Sequence, residues 1–178
     1  MKHILLTGKP GIGKTTLIKQ IINHLGNKKL QGFYTQEVRI SGSRVGFDII
    51  FLDGTPPCPL ARIEDKQNAT KSGRVGRYNV YVQQFELHAL PKLKKSCSGC
   101  YIIVDEIGKM ELLSSKFKII MNKLLVCDDV IVVGTIPIGD NVPKFVKDVR
   151  KMQNIEILEI TYSNRDNIFE KLKNIVEF

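Results

Sequence analysis

The feature that most constrains the fold is a glycine-rich stretch near the N-terminus, GKPGIGKT, which runs from Gly8 to Thr15. It fits the pattern G-x-x-x-x-G-K-[ST] without deviation. The apolar run HILLT (3–7) precedes it, and residues 14–25 place leucine and isoleucine side chains on one helical face. A strand, a glycine loop and a helix in this order predict a phosphate-binding loop in a parallel α/β sheet. The structural alternative is a plain glycine turn between a strand and a helix.

The residue types in this loop suit a nucleoside triphosphate. Such a loop turns several backbone N–H groups inward, and the start of the following helix adds partial positive charge. Lys14 is expected to reach the β- and γ-phosphates, Thr15 to bind Mg²⁺ through its hydroxyl, and Thr16 to contact the α-phosphate. The loop residues expected to contact the nucleotide are Gly8, Lys9, Pro10, Gly11, Ile12, Gly13, Lys14, Thr15 and Thr16.

The second informative stretch is YIIVDEIGKMEL, an apolar strand that ends in two acids. A carboxylate at the carboxyl end of such a strand lies beside the phosphate loop and orders Mg²⁺, which assigns Asp105 to the metal. Glu106 follows directly and is the candidate for polarising an attacking water. The alternative is a helix N-terminus at which acidic residues are favoured anyway.

Composition places the chain among globular proteins of one domain. It has 178 residues, of which 43% are hydrophobic and 25% charged. No apolar run approaches the length of a membrane span, and the polar loop follows too soon for a secretory signal. We therefore expect a cytoplasmic monomer with no membrane partner.

The formal net charge of +9 raises the possibility of a nucleic-acid partner. The lysines are spread along the chain with acids between many of them, and no basic run is interleaved with aromatic residues. A triphosphate site also accounts for some positive charge. Nucleic-acid binding stays open but is not favoured.

Cys97 and Cys100 have C-x-x-C spacing. No second pair and no histidine cluster completes a zinc site, and a redox pair would need a thioredoxin-like context. We interpret both as structural thiols in a loop, with a disulfide as the alternative.

The pattern along the chain predicts a mainly parallel central sheet with an antiparallel extension from residue 32 to residue 82. In the extension, a turn at Ser41-Gly42-Ser43 separates two strand-like runs, and a third run follows near its end. A predicted capping box at Ser163 and Asp166 begins the final helix. The predicted strands are 32–38, 45–52, 78–82, 100–104, 130–135 and 155–160, and the predicted helices are 83–94, interrupted by Pro91, 112–125, 142–152 and the last segment.

Four segments together resemble the thermophilic nucleoside-triphosphatase family: GKPGIGKTT, GFYTQEVR, DEIGKMEL and NRD. The resemblance covers essentially the whole chain and implies one P-loop NTPase domain, residues 1–178, with a three-layer RecA-like or kinase-like fold. It implies slow hydrolysis of ATP, GTP, CTP, UTP and TTP with little base preference. It also extends the nucleotide-contacting set to a second segment, Tyr101, Ile102, Ile103, Val104, Asp105, Glu106, Ile107 and Gly108.

Other functions share the phosphate loop. A nucleotide or nucleoside kinase needs a lid that excludes water, for which the basic stretch from Lys71 to Arg77 is the candidate. A partitioning switch would use Lys9 as a signature lysine, but Pro10 and the context of Asp105 argue against it. A nucleic-acid-stimulated motor would need accessory domains. Glu106 beside the metal carboxylate favours water as the acceptor.

Further cations are expected near the terminal phosphate. Lys109 is the preferred third catalytic residue, and Arg74 and Arg77 are weaker candidates in cis or in trans; for each, a solvated surface cation is the alternative. Asn164 and Arg165 are candidates for base recognition, with Arg165 stacking on any base. For these two, the alternative is helix capping and a surface charge.

Overall fold

The computed structural model describes residues 2–26, 28–63, 73–94 and 98–176. One nine-stranded sheet runs through all of these ranges. Its strands are β1 (His3–Gly8), β2 (Leu30–Ile40), β3 (Ser43–Phe51), β4 (Cys58–Ile63), β5 (Gly73–Val75), β6 (Tyr78–Val80), β7 (Cys100–Asp105), β8 (Val130–Thr135) and β9 (Ile155–Ile160). The helices are α1 (Lys14–Leu25), α2 (Val82–His88), α3 (Ser115–Leu125), α4 (Lys144–Val149) and α5 (Ile168–Val176), with short 3₁₀ turns at Leu90–Leu93 and Glu111–Leu113.

The sheet has a parallel part and an antiparallel part, which confirms the predicted fold class. The strand order is β5-β6-β4-β3-β2-β7-β8-β1-β9. From β2 to β9 all neighbours are parallel, and from β2 to β5 all are antiparallel. The carboxyl ends of β1, β7 and β8 therefore meet at one edge, with β8 between the other two.

Helices cover both faces of the sheet and give three layers. On one face, α1 and α5 bury Leu17, Ile18, Ile21, Leu25, Ile168, Leu172 and Val176. On the other face, α2, α3 and α4 bury Phe85, Phe117, Met121, Val146 and Val149. There the ring of Phe85 packs edge-on against Phe33, at 5.8 Å between centroids, and against Phe117, at 5.3 Å. Burial of each such ring stabilises the fold by about 1.5–3 kcal/mol. No helix in the described ranges is long and apolar enough to cross a membrane.

β2 is longer than its parallel partner and projects past the sheet edge. Its residues from Leu30 to Tyr34 pair with β7, ending at Tyr34 opposite Asp105. The remaining six residues, 35–40, pair only with β3. The hairpin closes on Ser41 and Gly42, which both have positive φ, as a two-residue turn between twisted strands favours.

Two helices begin later than predicted. The hydroxyl of Ser114 accepts a 3.0 Å hydrogen bond from the Phe117 N–H, so α3 begins at Ser115 and not near residue 112. The predicted capping box at Ser163 and Asp166 is wrong, since Asn164 instead closes a turn by accepting from the Thr161 N–H and α5 begins at Ile168.

The extension contains two strands that the sequence pattern did not predict. β4 follows two prolines and includes a third, Pro59, and β5 has three residues. The predicted basic lid falls partly outside the described residues, at Lys71 and Ser72. Its described part, 73–77, forms β5 and the turn to β6 and is therefore part of the sheet. Cys97 also lies outside the described residues, whereas Cys100 is buried at the start of β7.

Candidate active site

A cleft of about 660 Å³ lies at the carboxyl edge of the parallel strands, where the glycine loop joins β1 to α1. Gly13 precedes the helix with φ +112°, a conformation that residues with a Cβ rarely adopt. No side chain caps α1, and no described residue accepts a hydrogen bond from the backbone N–H groups of residues 13–16. These groups are therefore free to bind an anion. The loop residues that line the cleft are Gly8, Pro10, Gly11, Gly13, Lys14, Thr15 and Thr16.

Lys14 lies across the mouth of the loop. Its Nζ donates to the backbone carbonyl oxygens of Gly8, at 2.9 Å, and Lys9, at 3.3 Å. This ammonium is the cation best placed for phosphate oxygens. Of the predicted loop contacts, the side chains of Lys9 and Ile12 do not line the cleft, because Lys9 points to solvent and Ile12 packs in the core.

Asp105 ends β7 and is held by hydroxyls from two neighbouring elements. Thr15 Oγ1 donates to Oδ2 at 2.6 Å, and Thr135 Oγ1, at the end of β8, donates to Oδ1 at 2.5 Å. Burial raises the pKa of Asp105, and the two hydroxyls and the Lys14 charge oppose that shift. Thr135 is a site residue that the sequence pattern missed.

Oxygen donors from Thr15 and Asp105 suit a divalent cation. No group of three His, Cys, Asp or Glu side chains in the described ranges could hold a metal by itself. The remaining ligands would come from phosphate oxygens and water, as is usual for Mg²⁺ at nucleotide sites. The donor set therefore fits a metal that arrives with the triphosphate.

Glu106 follows Asp105 and turns its carboxylate into the same cleft. Burial raises its pKa, the Asp105 charge raises it further, and Lys14 opposes both. A carboxylate with a raised pKa is a better base than an ordinary glutamate. The position and the raised pKa of the Glu106 carboxylate therefore suit it to accept a proton.

Gly108 gives Glu106 room to lie against a second buried acid, Glu111. A Cβ at Gly108 would lie 2.6 Å from Glu106 Oε1 and 3.0 Å from Glu111 Oε2. The Gly108 N–H donates to Glu111 Oε2 at 3.1 Å. Burial, and then the Glu106 charge, raise the pKa of Glu111 to about 8, so Glu111 is mostly protonated at neutral pH.

The other residues of the second predicted segment, 101–108, support Asp105 and Glu106 from outside the cleft. Tyr101 to Val104 are buried within β7, and the Tyr101 hydroxyl donates to the Val176 carbonyl at the far end of the sheet. Ile107 is buried, and its N–H donates to the Thr135 carbonyl. Of residues 101–108, only Asp105 and Glu106 line the larger cleft, so the rest position these two carboxylates.

The projecting β2–β3 hairpin forms a further wall of the cleft. The segment GFYTQEVR, which carried part of the family resemblance, lies in its first strand, but none of its side chains was predicted to lie in the site. Its residues in the cleft are Thr35, Gln36, Glu37, Arg39, Arg44 and Phe47. Glu37 accepts hydrogen bonds from Arg39, at 2.7 Å, and from Arg44, at 2.9 Å. Both arginine side chains hold the pKa of Glu37 below its usual value, Arg44 more strongly. The wall therefore carries two arginines and one ionised acid.

A second pocket of about 240 Å³ adjoins the cleft across Glu106. It has apolar walls, which include Leu60, Val75 and Met110, and it contains Glu111 and Lys109. Lys109 thus lies near Glu106 but not in the larger cleft.

The remaining predicted cations and base contacts lie outside both pockets. Arg74 donates to the Gly76 carbonyl, and Arg77 lies 5.5 Å from the Tyr78 ring and donates to the Arg44 carbonyl. Asn164 donates to the Glu159 carbonyl at the end of β9, and Arg165 lies over the ring of Tyr162. None of these four residues lines the cleft.

Comparison with known proteins identifies the family. A family model described as NTPase matches residues 3–173. The chain is 40% identical to the mouse cancer-related nucleoside-triphosphatase homolog, over 99% of this chain and 97% of the relative. It is also 40% identical to nucleoside-triphosphatase THEP1 of Aquifex aeolicus, over 98% of each chain.

Two solved structures have the same fold. The crystal structure of Aquifex aeolicus THEP1 matches with a TM-score of 0.85 and 39% identity over 100% of both chains. The solution structure of a human cancer-related nucleoside triphosphatase matches with a TM-score of 0.83 and 35% identity, over 99% of this chain and 98% of that one. With the free loop amides, Lys14 and the paired carboxylates at one sheet edge, these matches show that the chain belongs to the NTPase family of nucleoside-triphosphate-hydrolysing enzymes.

Proposed function

We propose that this enzyme transfers the terminal phosphoryl group of Mg²⁺-bound nucleoside triphosphates to water, slowly and with little preference for the base. The observation that carries the proposal is the position of Glu106. It lies in the same cleft as Lys14 and the free loop amides, and it is one residue beyond the metal candidate Asp105.

The loop would bind and orient the phosphates. The N–H groups of residues 13–16 donate to phosphate oxygens, and Lys14 leaves the Gly8 and Lys9 carbonyls to contact the β- and γ-phosphates. These donors stabilise the charge that develops on the phosphate oxygens in the transition state. Thr15 and Asp105 would hold Mg²⁺, which neutralises phosphate charge when bound.

Glu106 would act as the base. Its carboxylate accepts a proton from the attacking water, the new bond forms between the water oxygen and the γ-phosphorus, and the bond to the β-phosphate oxygen breaks. The hydrogen bonds that Thr15 and Thr135 donate to the Asp105 oxygens favour the ionised form of that carboxyl group. Lys109 would act as a further catalytic residue through Glu106, from the adjoining pocket.

We expect little base preference because the cleft has few polar side chains outside the phosphate loop and the hairpin. Besides Asp105 and Glu106, the residues there are Lys19, Pro137 and Ile138, and the two apolar ones suit any base. We expect KM values for ATP, GTP, CTP and UTP that agree within several-fold. A preference of 100-fold or more for one base would require a hydrogen-bonding site and contradict the proposal.

One observation favours a second candidate, transfer to an acceptor other than water. The pocket of about 240 Å³ shares Glu106 with the cleft and has apolar walls that suit a small organic acceptor. In a kinase, Glu106 would take the proton from an acceptor hydroxyl.

One experiment separates the two functions. The pure protein is incubated with γ-labelled ATP and Mg²⁺, alone and with nucleosides, nucleotides, sugars, DNA or RNA. Free phosphate at an unchanged rate in every mixture supports hydrolysis. Label on an added molecule makes the protein a kinase. A large stimulation of hydrolysis by DNA or RNA would show that the net charge of +9 serves nucleic-acid binding. Chelation of divalent metal should abolish all turnover.

A further inference from the structure

We propose that Arg44 is a further catalytic residue, which contacts the terminal phosphate of the bound triphosphate from the β2–β3 hairpin of the same chain. The inference rests on the proposed function only in that the terminal phosphate lies beside Glu106.

The sheet order decides which end of the triphosphate the hairpin faces. β7, which carries Asp105 and Glu106, lies on one side of β1, and β9 lies on the other. The catalytic carboxylates mark the β7 side as the side of the terminal phosphate. β2 is the next strand beyond β7. Its projecting half therefore approaches the terminal phosphate and not the base.

Arg44 is held in place by two side chains. Its Nη1 donates to Glu37 Oε1 at 2.9 Å, and its Nε donates to the Tyr78 hydroxyl at 2.9 Å. The guanidinium also lies 5.3 Å from the Phe47 ring centroid and 5.9 Å from that of Tyr78. Tyr78 is only 7% exposed, so this support is firm. An arginine fixed in this way loses little side-chain entropy when an anion binds.

One nitrogen of Arg44 is left for a ligand. Nη2 donates to no residue in the described part of the chain, although Arg44 lines the nucleotide cleft. Arg39 differs in this respect. Its Nε and Nη2 donate to Glu37, and its Nη1 donates to the Gly42 carbonyl at the hairpin turn. The geometry thus selects Arg44 over its neighbour.

The expected role is electrostatic. The transition state of phosphoryl transfer spreads negative charge over three oxygens, and an arginine that contacts them changes kcat by about 10³–10⁵ in enzymes that rely on it. Arg44 shares its charge with Glu37, so we expect a smaller effect, roughly 10- to 1,000-fold. It forms no covalent bond and moves no proton.

The test compares Arg44→Ala and Arg44→Lys with the wild type and with Lys123→Ala. Lys123 lies exposed in the last turn of α3, at the opposite end of the sheet from the cleft, and its substitution removes the same charge. The measurements are kcat for ATP, the Kd values of ADP and of a non-hydrolysable ATP analogue, and the melting temperature.

For Arg44→Ala we expect a kcat lowered by roughly 10- to 1,000-fold, a weaker Kd for the ATP analogue, and an ADP Kd within about threefold of the wild type. Arg44→Lys should recover part of kcat because it keeps the charge without the planar fork. Lys123→Ala should hydrolyse ATP as the wild type does, which tests hydrolysis itself independently of Arg44.

Two results would overturn the inference. One is a wild-type kcat for Arg44→Ala, whether or not the melting temperature falls, since Arg44 then serves only the hairpin. The other is an equal loss of ADP and analogue binding, which would place Arg44 away from the terminal phosphate. If Arg44→Ala does not fold, Arg44→Lys and Arg44→Gln give the same comparison.

Discussion

Thr15 and Asp105 are 90 positions apart in the chain, yet the hydroxyl of Thr15 donates a 2.6 Å hydrogen bond to Oδ2 of Asp105. The bond joins the start of α1 to the end of β7 and brings both metal candidates to one point. Thr135 holds the other oxygen of the same carboxylate. Each carboxylate oxygen keeps a further lone pair, so Asp105 can accept these hydrogen bonds and still face a metal.

Thr135→Val tests whether the support of Asp105 matters for metal binding. Loss of one hydrogen bond to the carboxylate should raise the Asp105 pKa further and weaken its hold on the metal. We expect the Mg²⁺ concentration for half-maximal hydrolysis to rise about tenfold or more. An unchanged Mg²⁺ titration would show that Asp105 needs no support from β8.

Lys14→Ala tests the role of the Lys14 ammonium in binding the phosphates. Removal of the ammonium should lower kcat by about 100-fold or more and weaken triphosphate binding, because the charge acts on both the bound and the transition state. Steady-state hydrolysis and titration with a fluorescent ATP analogue measure the two effects. Wild-type turnover in this variant would refute the assignment of Lys14.

Glu106→Gln tests the base. The amide keeps the size of the side chain but accepts no proton, so binding should persist while hydrolysis falls by at least about 100-fold. In the wild type, kcat/KM should rise with pH as Glu106 deprotonates, at a higher pH than for an ordinary glutamate, because burial raises its pKa. A variant that hydrolyses ATP at the wild-type rate would exclude this role.

Gly108→Ala tests the packing of the acids. The new methyl group would lie 2.6 Å from Glu106 Oε1, so the carboxylate must move. We expect kcat to fall about tenfold or more, since a displacement of about 1 Å at a reacting group costs on this scale. The Kd of ADP should stay near the wild-type value. A parallel loss of ADP binding would mean that the whole cleft had changed.

Glu111→Gln tests the buried acid through stability. The pKa of Glu111 is about 8 in the folded protein against a reference of 4.5, so the folded state holds the proton more tightly. Its stabilising effect is complete below pH 4.5 and is lost as pH rises through about 8. Over this window the wild-type free energy of unfolding should fall relative to the variant by about 1 kcal/mol per pH unit. Urea unfolding at several pH values measures the difference, and parallel pH profiles would contradict it.

The sequence alone predicted those parts of the site that local patterns encode. The strand-loop-helix order around Lys14 and the apolar strand before Asp105 are both read within about twenty residues of chain. Thr135 could not be found this way, because its contact depends on β8 lying between β1 and β7. Arg44 was missed because only the unequal lengths of β2 and β7 bring the hairpin over the cleft. β4 was not predicted because prolines precede it and lie within it, and prolines usually end strands.

The β2–β3 hairpin joins the parallel part of the sheet through the half of β2 that pairs with β7, and on its other side β3 pairs with β4. The cleft therefore has two walls of different origin. One is the phosphate loop between β1 and α1, and the other is an antiparallel hairpin whose side chains alternate along its strands. Under the proposed role of Arg44, substitutions in this hairpin would change the side chains that meet the terminal phosphate, while the phosphate loop would stay unchanged.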